Sequence, residues 1–321
     1  MMHVRLNKLI LILLLILIIT GATLIGTLEY WPGQAGVALS ALPEKETEKP
    51  RYLYTVGDKG QGVLIQPSAI AVDDNGKIYI TDAGAFNVKI YSSGGRFLKS
   101  FGKEGSGRDG FGYPYGIAAL KNGDIMVADT INMNVRVFTK DGRYKKTVLD
   151  RKSRIKPGAM TGNNGRIYLA DLAGNKIIVL DEQGKILQKI APATMPLSYP
   201  QGMALDKTGR IWVADSGNFM VKAVSDKGEV QAVLREGDQG VPFTMVRGVA
   251  VDNLGRLAVT DVLARQVRFF SPDGVQLFTL DGAKTPEGAF IYPSMLYIDA
   301  GGKIYIADRG TGRVAVWGYR K

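Results

Sequence analysis

Six aspartates recur at nearly constant spacing and are the clearest candidates for chemistry in this chain. Each ends a short apolar run that follows a glycine turn, as in NGKIYITD and NGDIMVAD. Carboxylates gathered in a ring are ligands that Ca²⁺ accepts, at about 2.3 to 2.6 Å per oxygen. The six are Asp82, Asp129, Asp171, Asp215, Asp261 and Asp308, and they recur every 42 to 47 residues.

The same spacing indicates where these carboxylates lie, because a period in this range marks a closed or stacked array of identical units. They end the second strand of each unit, so sixfold geometry sets neighbouring carboxylates on the order of 10 Å or more apart. One metal ion cannot collect them. The sequence therefore predicts a structural role, in which each Asp accepts backbone N–H groups of the following turn. The candidate side-chain partners are Asn87, Asn134, Asn175, Asn218, Arg265 and Arg313.

Each unit reads as four short antiparallel strands. The first follows a proline or its equivalent, as in PSAIAV and PYGIAA, and carries small residues that suit convergence on one axis. Asn75-Gly76, Asn122-Gly123 and Asn164-Gly165 predict two-residue hairpin turns with positive φ. Six such units predict an all-β, six-bladed β-propeller with four-stranded antiparallel blades.

The ends of the repeat region predict how the ring closes. The last unit stops at its third strand, RVAVWGY, while RYLYTV at 51–56 precedes the first full unit. We expect this N-terminal strand to complete blade six and to leave no unpaired sheet edge between the first and last blades.

With PYGIAAL, DIMVADTINMNVRVF and GRYKKTVL in view, residues 51–321 resemble the NHL-repeat family of six-bladed β-propellers. Asp129, Asn134 and the following Arg-Val-Phe match the repeat, whereas the inner strands of blades three (GAMTGNNG) and six (SMLYIDAGG) depart from it. The resemblance implies chiefly a platform that binds proteins or RNA, because a minority of members are enzymes. The fold alone does not choose among these functions.

The N-terminus predicts a membrane anchor. Residues 9–28 carry no charge, and 20 helical residues span about 30 Å, the thickness of a hydrocarbon core. Arg5 and Lys8 precede the run, which places residues 1–8 in the cytoplasm and the propeller at 51–321 outside, beyond a linker at 29–50. The alternative is a signal peptide cleaved near Ala35 or Ser40.

Composition excludes several kinds of site. The chain has no cysteine, and its single histidine is His3, so thiol chemistry and imidazole catalysis in the propeller are excluded. We expect no cofactor and favour a binding protein over an enzyme.

The alternative function is that of a metal-dependent hydrolase or lyase of the gluconolactonase-like propeller type, which needs acidic ligands near the axis. The candidate aspartates end inner strands at tight turns: Asp73, Asp206, Asp252 and Asp299.

The charge balance predicts an anionic partner. Lys and Arg number 41 against 30 Asp and Glu, a formal net charge of +11, and the densest basic stretch runs from 140 to 156. The strand residues 143–146 suit either binding or protection of a sheet edge. The crossing loop favours binding, through Arg151, Lys152, Arg154 and Lys156. Nucleic acid is a poor natural partner for a propeller outside the cell.

The mouth of the central channel supplies the second candidate site. The residue after each inner-strand proline points there, and Tyr115, Gln201 and Arg247 are a phenol, an amide and a guanidinium that together suit an anionic group. The alternative is that they fold over the rim into solvent. Aromatic residues in the same loops are Phe111, Tyr113, Tyr199, Phe243, Phe290 and Tyr292.

The sequence thus predicts a membrane-tethered, extracytoplasmic binding or scaffold propeller that recognises a protein or an anionic polymer through one loop face. It gives no indication of the oligomeric state.

Overall fold

The structure is a computed structural model, and it describes residues 29–30, 47–236 and 240–319. The chain divides into two compact units, Met1–Tyr30 and Trp31–Lys321. The two-residue strand Glu29–Tyr30 belongs to the first unit and the propeller to the second.

The second unit is a ring of six antiparallel blades, as predicted, each with four strands from this unit. Blade 1 comprises Pro67–Val72, Ile78–Asp82, Asn87–Tyr91 and Phe97–Phe101. Blade 2 comprises Pro114–Ala119, Ile125–Asp129, Asn134–Phe138 and Tyr144–Leu149. Blade 3 comprises Pro157–Asn163, Arg166–Asp171, Lys176–Asp181 and Ile186–Ile190.

The remaining blades repeat this order. Blade 4 comprises Pro200–Leu205, Ile211–Asp215, Met220–Val224 and Val230–Leu234, and blade 5 comprises Val246–Val251, Leu257–Asp261, Gln266–Phe270 and Gln276–Leu280. Blade 6 comprises Pro293–Ile298, Ile304–Asp308, Arg313–Gly318 and Arg51–Val56. The connecting loops hold the short strands Lys103–Glu104 and Gly110–Phe111 and the 3₁₀ turns Gly60–Gly62, Arg151–Ser153 and Ser216–Asn218.

Closure of the ring by the N-terminal strand is confirmed. Arg51–Val56 pairs antiparallel with Arg313–Gly318, so that Arg51 lies opposite Gly318 and Val56 opposite Val314. Val56 is fully buried in an apolar cluster with residues of blades 1 and 6. The first and last blades are thereby joined through one sheet and one core.

The small residues of the inner strands have the predicted role at the point where the blades converge. A Cβ on Gly116 would lie 2.3 Å from the Gly158 carbonyl oxygen of the next blade, and one on Gly202 would lie 2.6 Å from the Arg247 carbonyl oxygen. Thr81 adds a bond between blades, since its hydroxyl donates to the Tyr115 carbonyl at 2.8 Å. Close backbone approach around the axis therefore depends on glycine.

Two of the three predicted hairpin turns differ from the expectation. Only at Asn164-Gly165 do both residues have positive φ, 49° and 78°. In blade 1 the Asp73 carboxylate accepts the N–H groups of Asn75 and Lys77, both at 2.9 Å, and only Gly76 has positive φ. Blade 2 forms the same longer loop with Leu120 at the position of Asp73, where the Gly123 N–H donates to the Leu120 carbonyl at 2.9 Å.

The predicted anchor at 9–28 lies outside the described residues. Among the residues that are described, no helix has the length and apolar character needed to cross a membrane.

Candidate functional site: the mouth of the central channel

The repeated aspartates position the loops that form the mouth. Asp129 is fully buried, and its carboxylate accepts the backbone N–H groups of Gly112 and Tyr113, both at 2.9 Å. These residues come just before the inner strand, whereas the sequence indicated the turn after the Asp. That following turn contributes as well, through the Asn132 N–H at 3.2 Å. Equivalent bonds to the preceding loop are formed by Asp82, Asp171, Asp215, Asp261 and Asp308.

A basic residue on the third strand pairs with five of these carboxylates. In four blades this residue is buried, and in blade 3 it is Lys176, which is 30% exposed and lies 3.6 Å from Asp171. Arg136 lies 3.1 Å from Asp129, and both side chains are at most 2% exposed. The predicted partners were therefore wrong in most blades, because only Asn218 bonds its aspartate, at 2.8 Å. Each of the four buried cations follows its aspartate by seven residues, and they are Lys89, Arg136, Lys222 and Arg268.

Three of the candidate aromatic residues are core residues and take no part in the mouth surface. Phe111, Phe243 and Phe290 are 0%, 4% and 1% exposed. The guanidinium of Arg136 lies 4.5 Å from the centre of the Phe111 ring, and Arg268 lies 5.2 Å from that of Phe243. These rings cover the buried ion pairs.

Tyr115 and Gln201 meet at the axis. Both are nearly fully buried, and the Tyr115 hydroxyl donates to Oε1 of Gln201, two blades away. The same hydroxyl lies 3.9 Å from the sulfur of Met295 in blade 6. Side chains from blades 2, 4 and 6 thus form a plug across the channel. Burial raises the pKa of Tyr115 to about 12, although the nearby Arg247 charge opposes the shift.

Arg247 extends above this plug without a counter-ion. Its Nη1 is buried, and among the described residues its side chain forms no hydrogen bond and no ion pair. The guanidinium lies 5.5 Å from the centre of the Tyr292 ring. Burial alone lowers the pKa of Arg247, but the electrostatic effect of the neighbouring tyrosines outweighs it, so that the pKa is raised. A buried charged donor normally has a hydrogen-bonded partner, and Nη1 of Arg247 has none within the part of the chain that the structure describes.

Tyrosines and a second arginine surround Arg247. Arg309 lies 5.8 Å from the ring centres of both Tyr113 and Tyr292, and its Nη2 donates to Oε1 of Gln66 at 3.0 Å. Tyr199, from blade 4, is 46% exposed and completes the group. We call Arg247, Arg309, Tyr113, Tyr199 and Tyr292 the mouth cluster. It places two guanidinium groups beside tyrosine rings, and this combination of positive charge and phenol donors suits a carboxylate.

The basic crossing loop lies on the same face. Arg151, Lys152 and Arg154 are exposed, and Lys156 is half-buried. Arg151 Nε donates to the Asn132 carbonyl at 3.2 Å, whereas the side chains of Lys152 and Arg154 form no hydrogen bond or ion pair within the described residues. Arg151 is therefore engaged in the structure of the loop, whereas Lys152, Arg154 and Lys156 have no side-chain partner among the described residues.

The loops of this face also carry exposed apolar side chains, of which the sequence indicated Tyr199 alone. They lie before the inner strands or between the second and third strands of the blades. A period read from the sequence identifies these loops but not which of their side chains are exposed. The eight are Val63, Ile65, Ile131, Tyr199, Phe219, Val241, Leu263 and Ile291.

The aspartates of the inner-strand turns lie at the opposite end of the channel, where Asp206 and Asp252 line a cavity of about 640 Å³. Asp206 accepts from Arg210 Nε at 2.7 Å and from Trp212 Nε1 at 3.0 Å. Asp252 lies 2.7 Å from Arg256 Nε. No group of three or more acidic, histidine or cysteine residues suited to a metal ion occurs in the described part of the chain.

Comparison with known proteins agrees with the repeat. The profile of the NHL repeat family matches residues 197–222. NHL repeat-containing protein 3 of Mus musculus is 28% identical over 179 residues, which cover 50% of this chain and 50% of that protein. The chain thus spans about half the length of this relative.

Solved structures share the fold at low sequence identity. A gluconolactonase from Xanthomonas campestris has a TM-score of 0.64 at 16% identity, covering 84% of this chain and 95% of that one. A catalytically inactive histidine-to-alanine variant of virginiamycin B lyase from Staphylococcus aureus has a TM-score of 0.58 at 18% identity, covering 84% of each chain. The matched repeat and the six-bladed ring together support an NHL-repeat propeller.

Proposed function

We propose that this chain is a binding propeller that recognises a carboxylate group of its partner at the mouth cluster, and that residues 9–28 tether it to a membrane with the propeller outside. The observation that carries the proposal is Nη1 of Arg247, a buried nitrogen that has no hydrogen-bond acceptor among the described residues. A bidentate carboxylate fits the planar donors of arginine, and it supplies the charge that this site lacks.

The surroundings of Arg247 favour a carboxylate over a neutral ligand. Arg309 adds a second positive charge beside the same Tyr292 ring, at 5.8 Å. The hydroxyls of Tyr113, Tyr199 and Tyr292 form no hydrogen bond within the described residues, so they are available to donate to an incoming oxygen. Lys152 and Arg154 extend the positive field on this face and attract an acidic partner.

Catalysis has less support. The lyase variant that shares this fold is inactive without one histidine, and the one histidine here, His3, precedes the propeller. The gluconolactonase-like alternative needs carboxylates that converge on a metal, but Asp206 and Asp252 are each bonded to an arginine of their own turn. Their oxygens are thereby engaged in local structure.

The test uses phenylacetate as a small carboxylate probe and phenylacetamide as its neutral counterpart, at constant ionic strength. We expect phenylacetate, but not phenylacetamide, to raise the thermal unfolding midpoint of the full-length chain, because a ligand of the native state stabilises it. Arg247→Gln should abolish the shift, while the control Arg96→Gln should retain it, because Arg96 is exposed in the turn between the third and fourth strands of blade 1. Equal shifts for Arg247→Gln and the wild type would overturn the proposal.

The tether is tested separately. Protease added to intact cells should digest the propeller while residues 1–8 remain protected, because the uncharged run at 9–28 is long enough to span a bilayer. Digestion only after the cells are opened would contradict the proposed location. A mature N-terminus near residue 36 or 41 would instead indicate a cleaved signal peptide.

A further inference from the structure

An arc of apolar side chains lies on the face that carries the mouth cluster. Ile291, Ile65, Ile131 and Leu263 belong to blades 6, 1, 2 and 5, which are consecutive around the ring. Their exposed fractions are 51%, 56%, 60% and 62%. We call these four residues the apolar arc. On the opposite face, among the described residues, the most exposed large apolar side chain is Leu254, at only 37%.

The arc is held in place by glycines of the neighbouring loops. A Cβ on Gly84 would lie 2.7 Å from Ile65, one on Gly112 would lie 2.9 Å from Ile131, and one on Gly310 would lie 2.6 Å from Ile291. In blades 1 and 6 the isoleucine precedes the inner strand and the glycine follows the second strand, whereas blade 2 has the reverse order.

The buried aspartates fix the backbone beneath two of these side chains. The N–H of Ile65 donates to Asp82 at 2.9 Å, and that of Ile291 donates to Asp308 at 3.1 Å. Three of the four residues thus lie in loops fixed by close contacts or hydrogen bonds, and all four side chains are exposed to solvent. Apolar residues grouped on one face of a protein typically mark a site of contact with another molecule.

We infer that the carboxylate bound at the mouth cluster is carried by a protein, whose apolar side chains pack on the arc while an acidic residue reaches Arg247. This inference rests on the proposed function and names the partner class. A polyanionic carbohydrate offers charge but little apolar surface, so it would leave the arc in water. An acidic residue between apolar neighbours matches both the two arginines and the four exposed side chains.

Two capped peptides separate the contributions of the charge and the arc. The first is Ac-Gly-Leu-Glu-Leu-Gly-NH2, and the second is Ac-Gly-Ser-Glu-Ser-Gly-NH2, which keeps the carboxylate but has no apolar flanks. We expect the full-length chain to bind the first about tenfold more tightly. The double variant Ile131→Ser/Leu263→Ser should lose that preference and retain its response to phenylacetate. Leu187→Ser is the matched control, because Leu187 is exposed on an outer strand. This variant should retain both the preference for the leucine peptide and the response to phenylacetate.

The outcomes distinguish this inference from the proposed function. If phenylacetate has no effect that depends on Arg247, the carboxylate site itself fails. If phenylacetate acts as expected but both peptides bind equally, the protein partner is overturned. Tighter binding of oligogalacturonate than of the leucine peptide, with the same dependence on Arg247, would assign a carbohydrate instead. A fluorophore at Ile131→Cys that is quenched by lipid-borne quenchers in proteoliposomes would assign the arc to the bilayer.

Discussion

The buried carboxylate of Asp129 holds Tyr113 at the mouth of the channel, through a 2.9 Å hydrogen bond from the Tyr113 backbone N–H. The same carboxylate pairs with Arg136 on the third strand. The repeated aspartate thus links the core of each blade to the loop that forms the binding face. The repeated aspartates fix the backbone of the mouth loops. The side chains of those loops differ from blade to blade, and they determine what the mouth can bind.

Substitution of this aspartate should be costly. Asp129→Asn leaves the Arg136 guanidinium buried without its counter-charge, which typically costs about 3 to 5 kcal/mol. We expect urea unfolding to report a loss of this size. Asp141→Asn is the control, because the Asp141 pair with Lys99 is about half exposed and such pairs contribute about 1 kcal/mol or less. Losses of similar size for the two variants would contradict the role assigned to Asp129.

Arg247 should contribute much less to stability. Arg247→Met removes a half-buried charge that has no hydrogen-bond acceptor or ion-pair partner among the described residues, so we expect the free energy of unfolding to change by about 1 kcal/mol or less while carboxylate binding is lost. Arg256 is the comparison, because it pairs with Asp252 at 2.7 Å, and Arg256→Met should destabilise the fold. Denaturant titration of both variants checks this. A stability loss for Arg247→Met equal to that for Arg256→Met would indicate a structural arginine.

Close contact between blades predicts a strong effect of one methyl group. Gly116→Ala places a Cβ 2.3 Å from the Gly158 carbonyl oxygen of the next blade, and backbone on both sides must move. Overpacking of this kind typically costs about 1 to 3 kcal/mol. Gly94→Ala is the matched control, since nothing lies within 4 Å of its Cβ position. The thermal unfolding midpoint of Gly116→Ala should be lower than that of Gly94→Ala. Equal midpoints would show that the inner strands can accommodate the added methyl group.

Much of this fold can be predicted from the sequence, because the period, the turns and the displaced strand at 51–56 are local patterns. The partner of Asp129 was missed although its signal is visible, since a cation between the apolar residues of NVRVF is unusual in a buried strand. The plug could not be predicted. It depends on whether the Tyr115 side chain is long enough to reach Gln201 and Met295 across the channel. The width of the channel cannot be read from a local sequence pattern.

The plug should titrate at high pH. The ordinary pKa of a tyrosine is 10.0, and that of Tyr115 is raised to about 12, chiefly by burial. The unfolded chain therefore loses this proton first, so the stability contributed by Tyr115 is fully present below pH 10 and declines between pH 10 and 12.

Tyr115→Phe tests this dependence. The variant leaves the buried Gln201 Oε1 without its donor, which typically costs about 1 to 3 kcal/mol. The difference in unfolding free energy between wild type and variant should shrink as the pH rises through this range. A difference that stays constant from pH 9 to 12 would contradict the burial of the phenol.

The most direct measurement of the central claim is a crystal structure of the full-length chain with phenylacetate. The predicted result is a carboxylate oxygen about 2.7 to 3.2 Å from the Arg247 guanidinium, with at least one hydroxyl of the mouth cluster as a further donor. A saturated crystal in which phenylacetate binds elsewhere, and in which Arg247 still has no acceptor, would contradict carboxylate recognition at the channel mouth.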